Sequence, residues 1–305
     1  MLESFANFLQ NTGFYALISS GGIDAVKTII MIAIACVLLY LAIVKKFEPL
    51  LLLPIAFGML LSNLPMIKDS SAIMMHTEFF TNPEYMTDGK YINVGYICQH
   101  GGLLDLLYLG VKLGIYPPLI FVGIGCMTDF GPLIANPKSI LLGAAAQFGV
   151  FFTFVGALVL SALVPSINFG IKEAASIGII GGADGPTAIY VTKSLAPALL
   201  PAIAVAAYSY MALIPVIQPP IMKLMTRKKD RMIVMEQLRP VSKTEKILFP
   251  IIVTIIVALI IPDAVSLVGC LMLGNLMKES GVVERLTKMA QNELMNIITL
   301  FLGVT

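Results

Sequence analysis

The amino-acid sequence predicts an all-α, polytopic membrane protein with inverted-topology repeats and broken or re-entrant helices. Hydrophobic residues make up 58% of the 305 residues, charged residues make up only 12%, and the mean hydropathy is +0.90. Soluble domains carry about 25% charged residues, because water must wet their surface. The apolar residues also form runs long enough for membrane helices, and glycine or proline interrupts several of these runs.

The first predicted span is the clearest. Residues 23–44 are mostly apolar and match the ~20 residues that cross a ~30 Å hydrocarbon core. Residues 139–164 form a second long run, whereas the short runs between residues 101 and 195 fit either spanning or re-entrant helices. Further apolar runs cover residues 50–65, 196–222, 247–261 and 265–277.

The distribution of charge predicts the orientation in the membrane. Residues 223–246 contain eight basic residues against three acids, and Lys45 and Lys46 directly follow the first span. The loop at residues 67–99 instead contains two lysines and four acids. Positive charge is retained on the cytoplasmic side of a membrane. We therefore expect Lys45, Lys46 and residues 223–246 on the inside and the acidic loop at 67–99 on the outside.

A short string occurs twice in the chain. GMLLSNL at residues 58–64 resembles LMLGNL at residues 271–276, and the charge pattern gives the two copies opposite orientations. Repeats of opposite orientation build many secondary transporters, with the binding site near the middle of the membrane. We therefore expect a single integral membrane domain over residues 1–305. Its predicted parts are a first repeat at about 50–222, a basic cytoplasmic loop at 223–246 and the start of a second repeat at 247–305.

The segment 177–187, IGIIGGADGPT, is the strongest candidate for a functional site. Four glycines and a proline oppose a continuous helix, since Gly costs ~1 kcal/mol and Pro ~3 kcal/mol in a helix interior. Irregular backbone at membrane depth is buried in protein or lines a wet cavity. Asp184 lies at its centre, and an ionisable residue at membrane depth marks an ion or proton path.

The oxygen atoms of this segment suit a small hard cation such as Na⁺. An unwound turn exposes the backbone carbonyls of Gly181, Gly182 and Ala183 beside the Asp184 carboxylate and the Thr187 hydroxyl. We therefore predict a mid-membrane Na⁺ site formed by these five residues. The alternative is a glycine-rich loop at the membrane edge with a solvated aspartate.

Of the other polar residues, Tyr210 has a catalytic and a structural explanation, and the aspartates and histidines below have structural ones. Tyr210 is a candidate to donate or accept a proton, although a core tyrosine bonded to a neighbour is an equal alternative. The prolines that follow it, Pro215, Pro219 and Pro220, predict a kinked or unwound helix. Helix capping explains Asp105 and Asp129, and a surface position explains His76 and His100. The net charge of +2 gives no indication of a nucleic-acid partner.

Several strings resemble a known protein family. They are GGADGPT at 181–187, the stretch 208–220, TDFGP at 128–132 with NPK at 136–138, and GNL at 274–276 with ESGV at 279–282. Over essentially the whole chain, the sequence resembles the β subunit of the biotin-dependent, sodium-pumping decarboxylases. These enzymes act on oxaloacetate, methylmalonyl-CoA or glutaconyl-CoA.

The resemblance implies a membrane subunit that decarboxylates carboxybiotin and couples this step to Na⁺ export. It implies that Asp184 is catalytic and binds Na⁺, and that Tyr210 is catalytic. Carboxybiotin would arrive on a separate biotin carrier protein, so no biotinyl lysine is expected in this chain. The implied partners are this carrier, a carboxyltransferase subunit and a small γ/δ-type membrane anchor.

The resemblance also implies a homo-oligomer in the cytoplasmic membrane of a bacterium. Family members carry a further C-terminal stretch with a second broken helix, so we expect the 305 residues alone to bind Na⁺ weakly. A secondary Na⁺-coupled transporter without bond cleavage is the alternative function, and a non-catalytic membrane scaffold is a third.

The orientation gives the first testable prediction. In a background in which the four native cysteines are replaced by serine, Lys228→Cys and Asp230→Cys should react with a membrane-impermeant maleimide only from the cytoplasmic side. Ser70→Cys and Asp88→Cys should react only from outside, because the positive-inside rule separates the two loops. Labelling of both loops from one side would contradict the orientation and the inverted repeat.

Overall fold

A computed structural model describes residues 12–19, 21–46, 49–65, 76, 78–87, 91–164, 167–182, 185–234 and 239–305. The helices in these ranges are α1 (Gly13–Ser19), α2 (Gly22–Ile43), α3 (Pro49–Ser62), α4 (Glu78–Thr81), α5 (Val94–His100), α6 (Leu103–Lys112), α7 (Tyr116–Met127), α8 (Gly131–Ala135), α9 (Ile140–Leu163), α10 (Ile171–Gly178), α11 (Gly185–Leu195), α12 (Leu200–Met225), α13 (Lys243–Ile260), α14 (Val265–Ser280), α15 (Glu284–Met289) and α16 (Met295–Val304). The strands β1 (Met86–Thr87) and β2 (Tyr91–Ile92) pair in an antiparallel hairpin.

The described residues confirm the all-α membrane class. Two segments within them, Gly22–Ile43 and Pro137–Leu163, are helical, long and apolar enough to cross a membrane. A third span results if α6 and α7, which are separated by a short break, are counted together. The two long segments coincide with the spans predicted at 23–44 and 139–164.

The chain forms two compact units, and the first contains residues 1–113 with 299–305. In this unit α3 packs against α2 and against the last turn of α16. A Cβ added at Gly58 would lie 2.5 Å from the Val304 carbonyl oxygen, and one at Gly303 would lie 2.7 Å from the Pro54 Cβ. Glycine at these two positions therefore allows the helix backbones to come close together, as small residues do in membrane helix pairs.

Asp105 is the polar centre of the first unit. Its side chain is fully buried and accepts hydrogen bonds from the backbone N–H of Gly102 at 2.9 Å and of His76 at 2.7 Å. The His76 Nδ1 lies 2.6 Å from the Asp105 Oδ2, and the His76 imidazole stacks on the Phe79 ring. The capping role predicted for Asp105 is confirmed. His76, in contrast, is mostly buried because it satisfies this carboxylate.

The second unit contains residues 114–298, and its tightest helix contact joins α7 to α14. A Cβ added at Gly125 would overlap the Leu271 carbonyl oxygen, and one at Gly274 would overlap the Val122 carbonyl oxygen. The two backbones touch at this pair of glycines. The second copy of the repeated string, at 271–276, lies in this contact, while its predicted inverted relation to residues 58–64 stays a prediction.

A buried apolar cluster holds α12 against α11. Ala188 of α11 packs with Ile203 and Ala207 of α12. Partly buried residues complete it: Ile177, Ile179, Ile180 and Leu199. Of the kinked or unwound helix predicted after Tyr210, the unwound alternative is wrong, because α12 continues without interruption to Met225. The kink stays a prediction. Each proline deletes one backbone donor and leaves the other helix hydrogen bonds in place, which is how membrane helices tolerate proline.

The glycine contact gives the second testable prediction. Gly125→Ala and Gly274→Ala should each lower the midpoint of thermal unfolding in detergent, with a loss of roughly 1–3 kcal/mol for overpacking. Gly149→Ala on α9 is the matched control, since nothing lies within 4 Å of an added Cβ there. It should leave the midpoint unchanged or raise it. Equal effects of all three substitutions would show that the backbones do not touch at Gly125 and Gly274.

Candidate ion site at the interrupted helix

The predicted interruption at residues 177–187 is present. Helix α10 ends at Gly178, a 3₁₀ turn covers Ile179–Gly181, and the Gly182 N–H donates to the Ile179 carbonyl at 3.2 Å. Helix α11 then begins at Gly185. Ala183 and Asp184 lie outside the described residues, so their predicted role as cation ligands stays a prediction.

The interruption packs tightly against α9, which explains part of its glycine content. A Cβ added at Gly182 would overlap the Val150 Cγ2, and one at Gly178 would lie 3.1 Å from the Val150 carbonyl oxygen. Any larger residue at Gly182 would require the Val150 side chain or the nearby backbone to shift. The glycines therefore serve a close approach of two helices as well as an unwound turn.

Two polar side chains of α9 lie beside the interruption, and the sequence analysis did not identify them. The Gln147 Oε1 is 3.5 Å from the position of an added Cβ at Gly182, and the Thr153 Oγ1 is 3.8 Å from the corresponding position at Gly181. Thr153 also donates a hydrogen bond to the Gly149 carbonyl at 2.9 Å. The available signal was a glutamine within a long apolar span, because a polar amide in lipid is costly unless it faces protein.

Two further residues predicted for the site, Thr187 and Tyr210, lie on the helices that follow the interruption. Thr187 lies in the first turn of α11, directly after the interruption. Tyr210 lies one turn beyond Ala207, which belongs to the apolar cluster around Ala188. The Tyr210 side chain is 40% exposed, and its hydroxyl forms no hydrogen bond with a described residue.

A second interruption follows α7, where Thr128, Asp129 and Phe130 separate this helix from α8. Side-chain donors from segments that are distant in sequence form hydrogen bonds with the carbonyls at this helix end. The Thr128 carbonyl accepts from the Asn275 Nδ2 at 3.1 Å and from the Lys278 Nζ at 2.9 Å. The Cys126 carbonyl accepts from the Gln291 Nε2 at 2.6 Å, in a π-helical turn at Ala290–Leu294. Side-chain donors from α14 and from the π-helical turn therefore satisfy these two carbonyls.

Charged side chains form ion pairs next to this carboxyl end of α7. Lys246 of α13 lies 3.7 Å from Asp129 and 3.8 Å from Glu279, and Glu279 lies 4.0 Å from Lys278. Asp129 also accepts from the Gly131 N–H at 2.9 Å, which confirms its predicted capping role.

That backbone hydrogen bond, followed by the nearby charges of Lys246 and Lys278, lowers the pKa of the Asp129 carboxyl, against the opposing effect of desolvation. Since ionised Asp129 favours the folded state, its contribution is present above the ordinary carboxyl pKa. It is lost as the pH falls through the lowered pKa. The contribution is small, because more than half of the side chain is exposed.

These features define a class of protein. An apolar helical chain with a glycine-rich interrupted helix is typical of ion-coupled membrane transport proteins, in which unwound carbonyls and half-helix ends bind the ion. The chain belongs to the family described as Na⁺-transporting oxaloacetate decarboxylase beta subunit, whose sequence profile matches residues 27–305. Its resemblance to the β subunits of sodium-pumping decarboxylases is thereby confirmed.

Curated relatives are similar over most of their length. The methylmalonyl-CoA decarboxylase subunit beta of Propionigenium modestum is 56% identical over 305 residues, which is 100% of this chain and 73% of the relative. The glutaconyl-CoA decarboxylase subunit beta of Acidaminococcus fermentans is 50% identical over 300 residues, or 98% and 69%. The oxaloacetate decarboxylase beta chain of Haemophilus ducreyi is 50% identical over 306 residues, or 91% and 70%.

The capped end of α7 gives the third testable prediction. Asn275 is 1% exposed, so Asn275→Leu should remove one of the two donors to the Thr128 carbonyl and destabilise the fold by about 1–3 kcal/mol. Asn292→Leu is the matched control, because Asn292 is exposed and its side chain, among the described residues, donates to the Lys288 carbonyl of its own helical segment. The measurement is thermal unfolding of the two purified variants. A loss as large for Asn292→Leu would contradict the special role of Asn275.

Proposed function

We propose that the chain is the membrane subunit that decarboxylates carboxybiotin and couples this reaction to Na⁺ export. The observation that carries the proposal is the glycine-lined interruption between α10 and α11, in a chain whose family is named for Na⁺ transport and decarboxylation. Asp184 follows Gly182 by two residues in the sequence and is proposed to supply the negative charge. Asp184, Thr187 and the carbonyls of Gly181, Gly182 and Ala183 form the proposed Na⁺ site.

The chemistry divides between the two proposed catalytic residues. Decarboxylation breaks the bond between the ureido nitrogen and the carboxyl carbon, CO₂ leaves, and the electron pair stays on nitrogen. One proton must then reach that nitrogen. Tyr210 is the proposed donor, and water reprotonates its phenolate. Asp184 holds the cation, so the charge state of the site changes when Na⁺ leaves.

The proposed coupling is energetically reasonable. Moving one positive charge outward against 100 mV takes ~2.3 kcal/mol, so a decarboxylation that releases CO₂ suffices for a small number of ions. In an apolar interior the cation must leave its carboxylate together with a change in local charge or hydration. The exposed Gly181 and Gly182 at the interruption support access to such a site.

The proposed assembly follows from the family. A β subunit works with other subunits, and we propose a biotin carrier protein, a carboxyltransferase subunit and a small γ/δ-type membrane anchor. Biotin on the carrier supplies the carboxyl group, and the membrane part is a homo-oligomer. The proposed location is the cytoplasmic membrane of a bacterium.

The test is made on the complex reconstituted in vesicles, and it gives the fourth prediction. The wild type should release CO₂ from carboxybiotin on the carrier at a rate that rises with Na⁺, and ²²Na⁺ should move across the membrane. Asp184→Asn keeps the shape of the side chain but removes its charge, so Na⁺ stimulation should fall at least tenfold. Asp263→Asn, at an exposed position before α14, is the control and should behave like the wild type.

Two results would refute parts of the proposal. Wild-type Na⁺ stimulation in Asp184→Asn would show that the aspartate is not the cation ligand. Na⁺ movement without CO₂ release, and without a biotinylated partner in the purified complex, would refute the decarboxylase function.

A further inference from the structure

We infer that residues 223–234, the basic turn that follows α12, bind an anionic phospholipid at the surface of the membrane. Cationic side chains of the basic turn pair with the phosphate of the lipid, and apolar side chains of the same turn contact its acyl chains. The inference goes beyond the proposed function, since it concerns neither Na⁺ nor carboxybiotin. The observation that carries it is the combination of unpaired cations and exposed apolar residues in one short folded turn.

The length of α12 places the basic turn at the membrane surface. The helix has 26 residues and is therefore about 39 Å long, which exceeds a ~30 Å hydrocarbon core. Its first charged residue is Lys223, three residues before the helix ends. Charged residues are costly in hydrocarbon, so this end of α12 lies at the level of the lipid head groups.

Hydrogen bonds within the segment fold the basic turn back onto the end of α12. The Arg231 Nη1 donates to the Lys223 carbonyl at 3.3 Å, and the Asp230 carboxylate accepts from the Arg227 N–H at 3.1 Å. A 3₁₀ turn then covers Asp230–Met232. Two of the charged side chains thus serve to shape the turn, and the cations between them are held close to one another.

Three exposed cations lie at the tip of the basic turn, at Arg227, Lys228 and Lys229. Among the residues that the structure describes, none forms an ion pair or a side-chain hydrogen bond with them. The turn as a whole contains five basic residues and one acid. A cluster of Lys and Arg at the membrane surface is attracted to anionic lipids, whose phosphates supply the missing negative charge.

Apolar side chains flank the cations on both sides. Leu224 and Met225 precede them and are 88% and 81% exposed. Met232, Ile233 and Val234 follow them and are 71%, 71% and 88% exposed. Cations next to exposed apolar residues are typical of segments that lie in the membrane interface, where the apolar side chains reach the acyl boundary. A soluble anion would pair with the cations and leave the apolar side chains in water, so the pattern favours a lipid.

Thermal unfolding of the purified complex in detergent, with increasing phosphatidylglycerol, tests the inference. This lipid should raise the unfolding midpoint of the wild type, and phosphatidylcholine should raise it less. In Lys228→Gln/Lys229→Gln, the phosphatidylglycerol concentration for half-maximal protection should rise at least tenfold, because two cations near an anionic lipid are lost. The midpoint without lipid should stay at the wild-type value, since both side chains are exposed.

Lys27→Gln/Lys288→Gln is the matched control. It removes the same net charge from two side chains that are each 70% exposed and that pair with Asp24 and Glu284. Its dependence on phosphatidylglycerol should match the wild type. A second variant, Ile233→Ser/Val234→Ser, keeps every charge and should also need more lipid, because it removes the apolar contacts with the acyl chains.

Four outcomes overturn the inference. The first is equal protection of the wild type by phosphatidylcholine and phosphatidylglycerol. The second is wild-type lipid dependence in Lys228→Gln/Lys229→Gln. The third is equal protection by soluble glycerol 3-phosphate, which would identify a site for a free anion. The fourth is loss of a partner subunit from the variant complex with unchanged lipid dependence, which would identify a protein contact. All four are measured without Na⁺ or carboxybiotin, so they leave the proposed function intact.

Discussion

Backbone carbonyls and N–H groups that leave a helix inside an apolar protein need partners, since lipid provides none. This constraint connects most of the polar features of the second unit. Among the described residues of this unit, the helix interruptions after α7 and after α10 have different surroundings. At the first, side-chain donors from α14 and the π-helical turn cover the carbonyls of Cys126 and Thr128. At the second, the side-chain oxygens of Gln147 and Thr153 on α9 lie beside Gly182 and Gly181.

Glycine makes both arrangements possible by letting helices approach to backbone contact. Gly125 and Gly274 bring α7 and α14 together, which places Asn275 one residue beyond the crossing and within reach of Thr128. Gly178 and Gly182 do the same for the interruption and α9. At the α7–α14 contact, the short helix distance brings Asn275 and Lys278 within reach of the Thr128 carbonyl. The glycines are thus as important for the chemistry as the charged residues.

Much of the fold was predictable, because its signals are local. The spans at 23–44 and 139–164 follow from length and hydropathy, and the interruption at 177–187 follows from four glycines and a proline. Local patterns give no access to pairs such as Asn275 with Thr128, which are 147 residues apart. They also missed Gln147, since its position beside Gly182 depends on how α9 packs against the interruption. The proline-rich part of α12 was predicted to kink or unwind, but it remains helical to Met225, and the helix packs on α11 around Ala207.

The capped end of α7 also constrains how the protein is made. Its three donors are encoded 147, 150 and 165 residues after the carbonyls they cover. At ribosomal speeds of 5–20 residues per second, roughly 7 to 30 s pass before the first donor is synthesised. During that interval the carbonyls of Cys126 and Thr128 have to be covered by water or by the insertion machinery. The carboxyl end of α7 therefore reaches its final environment only after α14 and the π-helical turn at Ala290–Leu294 have been synthesised.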